Sequence, residues 1–299
     1  MKVGIVTYVH GWYADYIPFF VYAISKSYPE YESRIFLRET LPNSARRNLA
    51  LVRGLANFQI QEGYLANIGI RDNEAKKPYY LRWLTPYYSL KDLDAAFICD
   101  VDLLMISESP TMLDQRLAVC ARNGVPFANY ERDFHPDYPP RITGWHFILV
   151  DEYYKKVGPI IDKLRNEDID ITAMKNNYCY ENGLGEKQWG QESLLHYIIR
   201  EAFGDVDLSH KFPTHHGVHL GPIRANLHHR LYNKEPKIIK RFGFNADYWY
   251  SPQAFQFAND DIIIQMARNL PNGNVKTVIT RYIESFTDRG SGVSSPLYM

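Results

Sequence analysis

The chain of 299 residues carries 34 Lys and Arg against 34 Asp and Glu, with 45% hydrophobic and 23% charged residues. At about 150 residues per domain this is one large α/β domain or two small ones; it is long enough to bury roughly three quarters of its extended surface, and disordered and fibrous classes are excluded. Zero net charge removes the basic excess of a dedicated nucleic-acid binder.

The opening MKVGIVTYVHGWYADY has neither the apolar h-region nor the small-residue cleavage site of a signal peptide. Val3, Ile5 and Val6 predict a short first strand instead. Ile17, Phe20, Val21, Ile24 and Tyr28 then recur at helical spacing up to Pro29, and Ile35 to Leu37 read as a second strand. Strand, helix, strand at this interval opens a wound α/β sheet, whose ligands gather at the carboxyl ends of the strands. Thr7, Tyr8 and the loop to Tyr16 therefore stand where a ligand would bind. That loop has no G-x-G-x-x-G and no G-x-x-x-x-G-K-[ST], which argues against NAD and P-loop chemistry.

In PYYLRWLTPYYSLKDLDAAFICDVDLLMI (78–106), Ala95 to Cys99 and Leu103 to Ile106 are apolar enough for buried strand, yet Asp100 and Asp102 lie between them. Buried carboxylates cost several kcal/mol each without compensation, about as much as a paired cation returns. The pair reads as a divalent-metal site at a strand end or, in the plainer alternative, as a polar turn. The spacing alone says nothing, since Asp92/Asp94, Asp168/Asp170 and Asp205/Asp207 share it; the apolar strand around it carries the inference.

Further on, Thr143 and Gly144 make a small-residue turn before the strand Phe147 to Val150 and a helix; it is either a close approach to a ligand or a plain β-turn. Leu194, Leu195, Ile198, Ile199 and Ala202 share one face of a helix that begins near Gln191, so Glu192 falls in its first turn. There a carboxylate serves as base, nucleophile, electrostatic stabiliser or simple helix-dipole partner. Six of the ten histidines, His210, His215, His216, His219, His228 and His229, lie in 210–229, and imidazole with carboxylate suits Mn²⁺. Cys99, Cys120 and Cys179 form no C-x-x-C and fit a reducing compartment. The 23 tyrosines suit stacking on sugars or bases, or packing at the domain surface.

In chain order these segments resemble the nucleotide-sugar-dependent glycosyltransferases of the GT-A fold, over residues 1–224, and among them the glycogenin-like family 8 enzymes, with echoes of the blood-group-type family 6 transferases. The resemblance implies an α/β fold with a Rossmann-like wound mixed sheet flanked by helices. A catalytic domain over 1–229 would divide into a donor-binding half (1–106) and an acceptor half (107–229), with 230–299 an extension packed on the same domain. Val3 to Tyr16, including Thr7, Tyr8 and Tyr16, matches the strand and loop that hold the nucleotide base. Tyr80-Leu81-Arg82-Trp83-Leu84 looks like the helix whose arginine approaches the donor phosphate or sugar. Cys99-Asp100-Val101-Asp102 looks like the D-x-D motif for Mn²⁺ (or Mg²⁺) and the donor diphosphate. Thr143-Gly144 resembles the sugar-binding turn, with Ile142 where an asparagine is common. Trp189-Gly190-Gln191-Glu192-Ser193-Leu194-Leu195 resembles the D-Q-x-x-L and D-E-S-x-L motifs, which places Gln191 and Glu192 at the reacting sugar. His219-Leu220-Gly221-Pro222-Ile223-Arg224 resembles H-x-x-G-P-x-K, one residue short and ending in arginine. It implies His219 as third metal ligand, with His216 as the alternative, and Gly221 and Arg224 at the donor.

The activity so implied is a metal-dependent, hexosyltransferase-type glycosyltransferase that moves a sugar from a nucleotide donor, UDP-linked in the first instance, to a glycan, lipid-linked or protein hydroxyl, in surface polysaccharide or glycoconjugate synthesis. Retention is the favoured outcome because both families retain. An inverting enzyme with Glu192 as base, a sugar nucleotidyltransferase, a histidine-metal hydrolase and a catalytically silent sugar-binding module are the alternatives. The nucleotidyltransferase lacks its glycine-rich basic loop here, and the hydrolase leaves the strand aspartates unexplained. Neither nucleic acid nor an integral membrane segment is expected. The expected location is cytoplasmic, with peripheral attachment to an inner membrane face as a variant.

Overall fold

The computed structural model describes residues 1–66, 70–71, 78–132, 140–166, 169–170, 174, 176–178, 180, 190–212, 216–224 and 251–287. VGIVTYV forms β1 (Val3–Val9), buried along its whole length, as expected for an apolar strand covered on both faces. After a 3-10 turn (Gly11–Tyr16), α1 (Ile17–Ser27) starts with Pro18 in its first turn, where a missing N–H costs nothing, and stops before Pro29. β2 (Glu32–Leu37), α2 (Asn43–Val52) and β3 (Phe58–Gln61) follow. β4 (Ile70–Arg71) pairs in parallel with β9 (Ile169–Asp170), away from the main sheet.

The expected helix around Arg82 is a 3-10 turn (Pro78–Leu84). β5 (Ala95–Ile98) and β6 (Leu103–Met105) are the two strands predicted on either side of the aspartates, slightly shorter than the apolar runs. α3 (Met112–Asn123) is capped by the Thr111 hydroxyl, which accepts from the Asp114 N–H, and ends on Gly124 at φ 64°, a left-handed position that suits glycine. Then come β7 (Phe127–Ala128), β8 (His146–Leu149), α4 (Val150–Asn166), α5 (Gln191–Phe203), β10 (Gly217–His219) and the single turn α6 (Gly221–Arg224).

The main sheet has the order β3-β2-β1-β5-β8-β7. β1, β2, β3 and β5 run parallel, and β8 is antiparallel to both β5 and β7, so this is a mixed wound α/β sheet flanked by helices. The chain moves outward from β1 to β3 and then crosses to the other side of β1 for β5. That reversal opens a crevice beyond the carboxyl ends of β1 and β5, where wound sheets bind ligands.

Alternation along the strands divides the interior into two layers. Val3, Ile5, Val9, Phe97 and Cys99 face α1, α2, α3 and the C-terminal helices, whereas Val6, Tyr8, Ala96 and Ile98 face the Arg82 turn, α4 and α5. Helices α7 (Pro252–Ala258), α8 (Asp261–Asn269) and α9 (Asn274–Thr287) belong to the first layer through Ile263, Met266, Val278 and Tyr282. Two polar latches add to this packing: Tyr22 donates to Asp260 (2.8 Å), and buried Asn48 donates to the Met266 carbonyl (3.0 Å) while accepting from Asn269. Residues 225–250, with His228 and His229, lie outside the described set, as do His215, Cys179 and Trp189. No helix among the described residues is long and apolar enough to cross a membrane.

Candidate active site

A cavity of about 590 Å³ opens at that crevice. Asp100 follows β5 and meets Arg82, which reaches across from its 3-10 turn; Arg82 Nη1 donates to Asp100 Oδ1 at 2.6 Å. Arg82 is itself buried, and its Nε and Nη2 have no acceptor among the described residues. Asp102 is buried two residues on. β10 runs antiparallel to β6 with His219 opposite Leu103, and the Leu220 N–H donates to the Asp102 carbonyl at 2.9 Å. This pairing, not sequence proximity, brings His219 Nε2 to 3.4 Å from Asp102 Oδ1.

One donor atom from each of Asp100, Asp102 and His219 lies within 4.8 Å of the others. Two carboxylates and an imidazole form a set that fits a Mn²⁺- or Mg²⁺-type cation. The His219 ring rests against Gly221, where a Cβ would meet its Cε1 at 2.5 Å, and the Gly221 N–H donates to Nδ1 at 3.2 Å. That bond leaves Nε2 as the protonated nitrogen, so a cation at Nε2 requires the other tautomer and gives up the Gly221 contact.

Asn129 builds the Thr143-Gly144 turn. Its Oδ1 accepts from the Thr143 hydroxyl (2.6 Å) and the Thr143 N–H (3.1 Å), and its Nδ2 donates to the Thr143 carbonyl (3.0 Å). Gly144 is thereby held in the middle of the charged groups: a Cβ there would lie 2.9 Å from Arg82 Nη2, 3.3 Å from Asp100 Oδ2 and 3.7 Å from Glu192 Oε1. Glu192, in the first turn of α5, accepts from Arg132 Nη1 at 2.7 Å on both oxygens, with Arg141 Nη1 at 3.9 Å. The two arginines come together because Glu131 bridges Ile142 and the Arg132 N–H donates to the Arg141 carbonyl. Burial lowers the Arg132 pKa, but the nearby Glu192, with Tyr130 and Asp100, more than offsets it and the group is held above its ordinary value.

No family model and no curated protein matches the chain. Solved structures similar to it include a galactosyltransferase, LgtC, in complex with donor and acceptor sugar analogues, at 14% identity, 67% of this chain, 70% of that chain and a TM-score of 0.39. Another is core-mannan synthase A of Aspergillus fumigatus in an Mn/GDP form, at 8% identity, 69% of this chain, 71% of that one and a TM-score of 0.44. A third is the apo glycosyltransferase GlyE of Streptococcus pneumoniae TIGR4, at 10% identity, 100% of this chain, 66% of that one and a TM-score of 0.46. Identities this low leave function to the residues.

The cavity gathers Tyr8, Arg82, Asp100, Asp102, Thr143, Gly144, Gln191, Glu192 and His219 from six separate stretches of the sequence. Burial pushes the Tyr8 hydroxyl up to about 12, so it stays protonated as a donor. Four expected residues do not line it. Thr7, one residue out of phase with Tyr8, points into the opposite layer and is fully buried. Tyr16 is covered at the end of its 3-10 turn; His10 and Tyr13 reach the cavity in its place. Gly221 supports the His219 ring from behind. His216, 3% exposed, bonds Tyr28 through Nδ1 and Gln115 through Nε2 (2.8 Å), so both ring nitrogens are engaged away from the aspartates. The Arg224 side chain lies outside the described set. Arg116, Arg132 and Trp145 line the cavity without having been marked by any motif.

Proposed function

We propose that the protein is a metal-dependent glycosyltransferase that takes a sugar from a nucleoside-diphosphate donor, UDP-linked in the first instance, and delivers it to a hydroxyl acceptor. One observation carries this reading: Asp100, Asp102 and His219 meet at the switch point of a wound sheet, and Arg82 and Glu192 converge with Asp100 on the space that Gly144 leaves by having no side chain. A divalent cation on that triad would neutralise charge growing on a departing diphosphate. Arg82 supports the same step, because its free Nε and Nη2 are donors positioned before the charge develops. Tyr8, His10 and Tyr13, above β1, offer aromatic and polar surface for a nucleoside.

Glu192 faces the space over Gly144, where the transferred sugar would lie. Both of its oxygens already accept from Arg132, which favours a charge-stabilising role at the sugar carbon over removal of the acceptor proton, and so favours retention. Calorimetric titration of UDP and of GDP, each with and without Mn²⁺, tests the reading. Tight Mn²⁺-dependent binding of one nucleotide, abolished in Asp102→Ala, is the expected result. Binding unaffected by Asp102→Ala would remove the metal assignment, and no binding under any condition would remove the donor class.

A further inference from the structure

Arg116, on α3, is a buried arginine that the chemistry above does not use. Its side chain enters the cavity wall from the first layer, opposite the face from which Arg82 arrives. The residue is 5% exposed, its Nη1 is buried without an acceptor among the described residues, and no carboxylate acts on it there. Its guanidinium carbon stacks 3.2 Å from the centre of the Phe212 ring and 5.8 Å from that of Trp145. Burial pulls its pKa down to about 9. Beside it, Trp145 also lines the cavity, and its indole Nε1 is a second buried donor without an acceptor.

An unpaired buried guanidinium is costly, and a packed apolar residue would serve the fold better. Two such donors in one wall, with no acceptor among the described residues, call for an acceptor supplied by a ligand. The donor diphosphate has partners of its own in Asp100, Asp102, His219 and Arg82, none of which contacts Arg116 or Trp145 in a hydrogen bond or ion pair among the described residues. We propose that Arg116 and Trp145 form a subsite for an anionic substituent, a carboxylate or a phosphate, on the sugar acceptor. The inference rests on the transferase reading for the word acceptor; the anion site itself stands on the two donors.

The test is calorimetry on the full chain with glucose, glucuronic acid and glucose 6-phosphate, in the presence and absence of UDP and Mn²⁺. At least one charged sugar should bind about 10- to 100-fold tighter than glucose, the factor that a charge-assisted hydrogen bond supplies; which one does so separates carboxylate from phosphate. Arg116→Gln should bring that sugar to the affinity of glucose, Arg116→Lys should keep part of the preference, and UDP binding should be unchanged in both. Trp145→Phe, which keeps the ring body, should lose part of the preference even if Arg116→Gln does not fold. Equal affinity for charged and neutral sugars, or a preference that survives Arg116→Gln or Trp145→Phe, would overturn the subsite. Loss of Mn²⁺-dependent UDP binding with the charged-sugar preference intact would overturn the transferase reading and leave the anion site standing.

Discussion

Gly144→Ala adds one methyl group at the point where the site is tightest. The backbone there is not left-handed, so alanine meets no conformational penalty, and the effect is purely one of space. The new carbon would lie 2.9 Å from Arg82 Nη2 and 3.3 Å from Asp100 Oδ2, inside the 3.4 Å at which ordinary contact begins. Arg82 must retreat, yet it is buried and tied to Asp100 at 2.6 Å, so its displacement disturbs both groups that would face a diphosphate. Loss of one charge-assisted hydrogen bond is worth about 1.5–3 kcal/mol, or roughly a 10- to 100-fold fall in nucleotide affinity. Calorimetric titration of UDP with Mn²⁺, beside a thermal melt, measures it. A melting midpoint close to that of the parent with affinity down tenfold or more is expected. Unchanged affinity would refute the placement of the donor against Gly144.

Three further outcomes concern the scaffold and Glu192. Asn48→Ala should cost about 1–3 kcal/mol by leaving the Met266 carbonyl unpaired in the interface between α2 and α8, as read by urea unfolding. His146, buried between Asn129 and Tyr153, is held down to about 3 from 6.5 by burial. The unfolded chain therefore takes up this proton first, so stability is full above pH 6.5 and falls as pH drops toward 3; His146→Gln should flatten that fall by up to about 1.4 kcal/mol per pH unit in chemical denaturation. Glu192→Gln should lower turnover far more than nucleotide affinity, and near-normal turnover would take Glu192 out of the reaction.

The fold was legible where the chemistry is local. Apolar β1, Pro29 after α1, and the Asp100-Asp102 pair between two apolar strands each carry a physical reason that needs no partner. The β1 register was legible only in part: Thr7 and Tyr8 were both assigned to the ligand, although alternation sends just one of them there, and the period of two applied to Val6 and Tyr8 would have separated them. What failed depended on pairing across long stretches. Asn129 performs the positioning that Ile142 could not, from just past the end of β7, 13 residues earlier in the chain. Arg132 and Arg141 act on Glu192 through a bridge between Glu131 and Ile142 that no local pattern announces. His219 and His216 were indistinguishable by type; β10 decides between them by carrying His219 to Asp102, whereas His216 precedes the strand at φ 52° and turns toward Tyr28 and Gln115.

The charges lining the cavity add up to a statement about order of binding. Among the described residues that line it, Arg82, Arg116 and Arg132 stand against Asp100, Asp102 and Glu192, three positive against three negative. Two of the arginines are already committed, Arg82 to Asp100 and Arg132 to Glu192. A nucleoside diphosphate therefore meets a wall with no net attraction, and it must bring its own positive charge or find the aspartates neutralised first. Nucleotide and divalent cation should accordingly bind with strong positive coupling, each raising the affinity of the other by the same factor. Titrating Mn²⁺ into the protein with and without UDP measures that factor from one side, and titrating UDP with and without Mn²⁺ measures it from the other. Substantial UDP affinity in the absence of any divalent ion would contradict the charge balance.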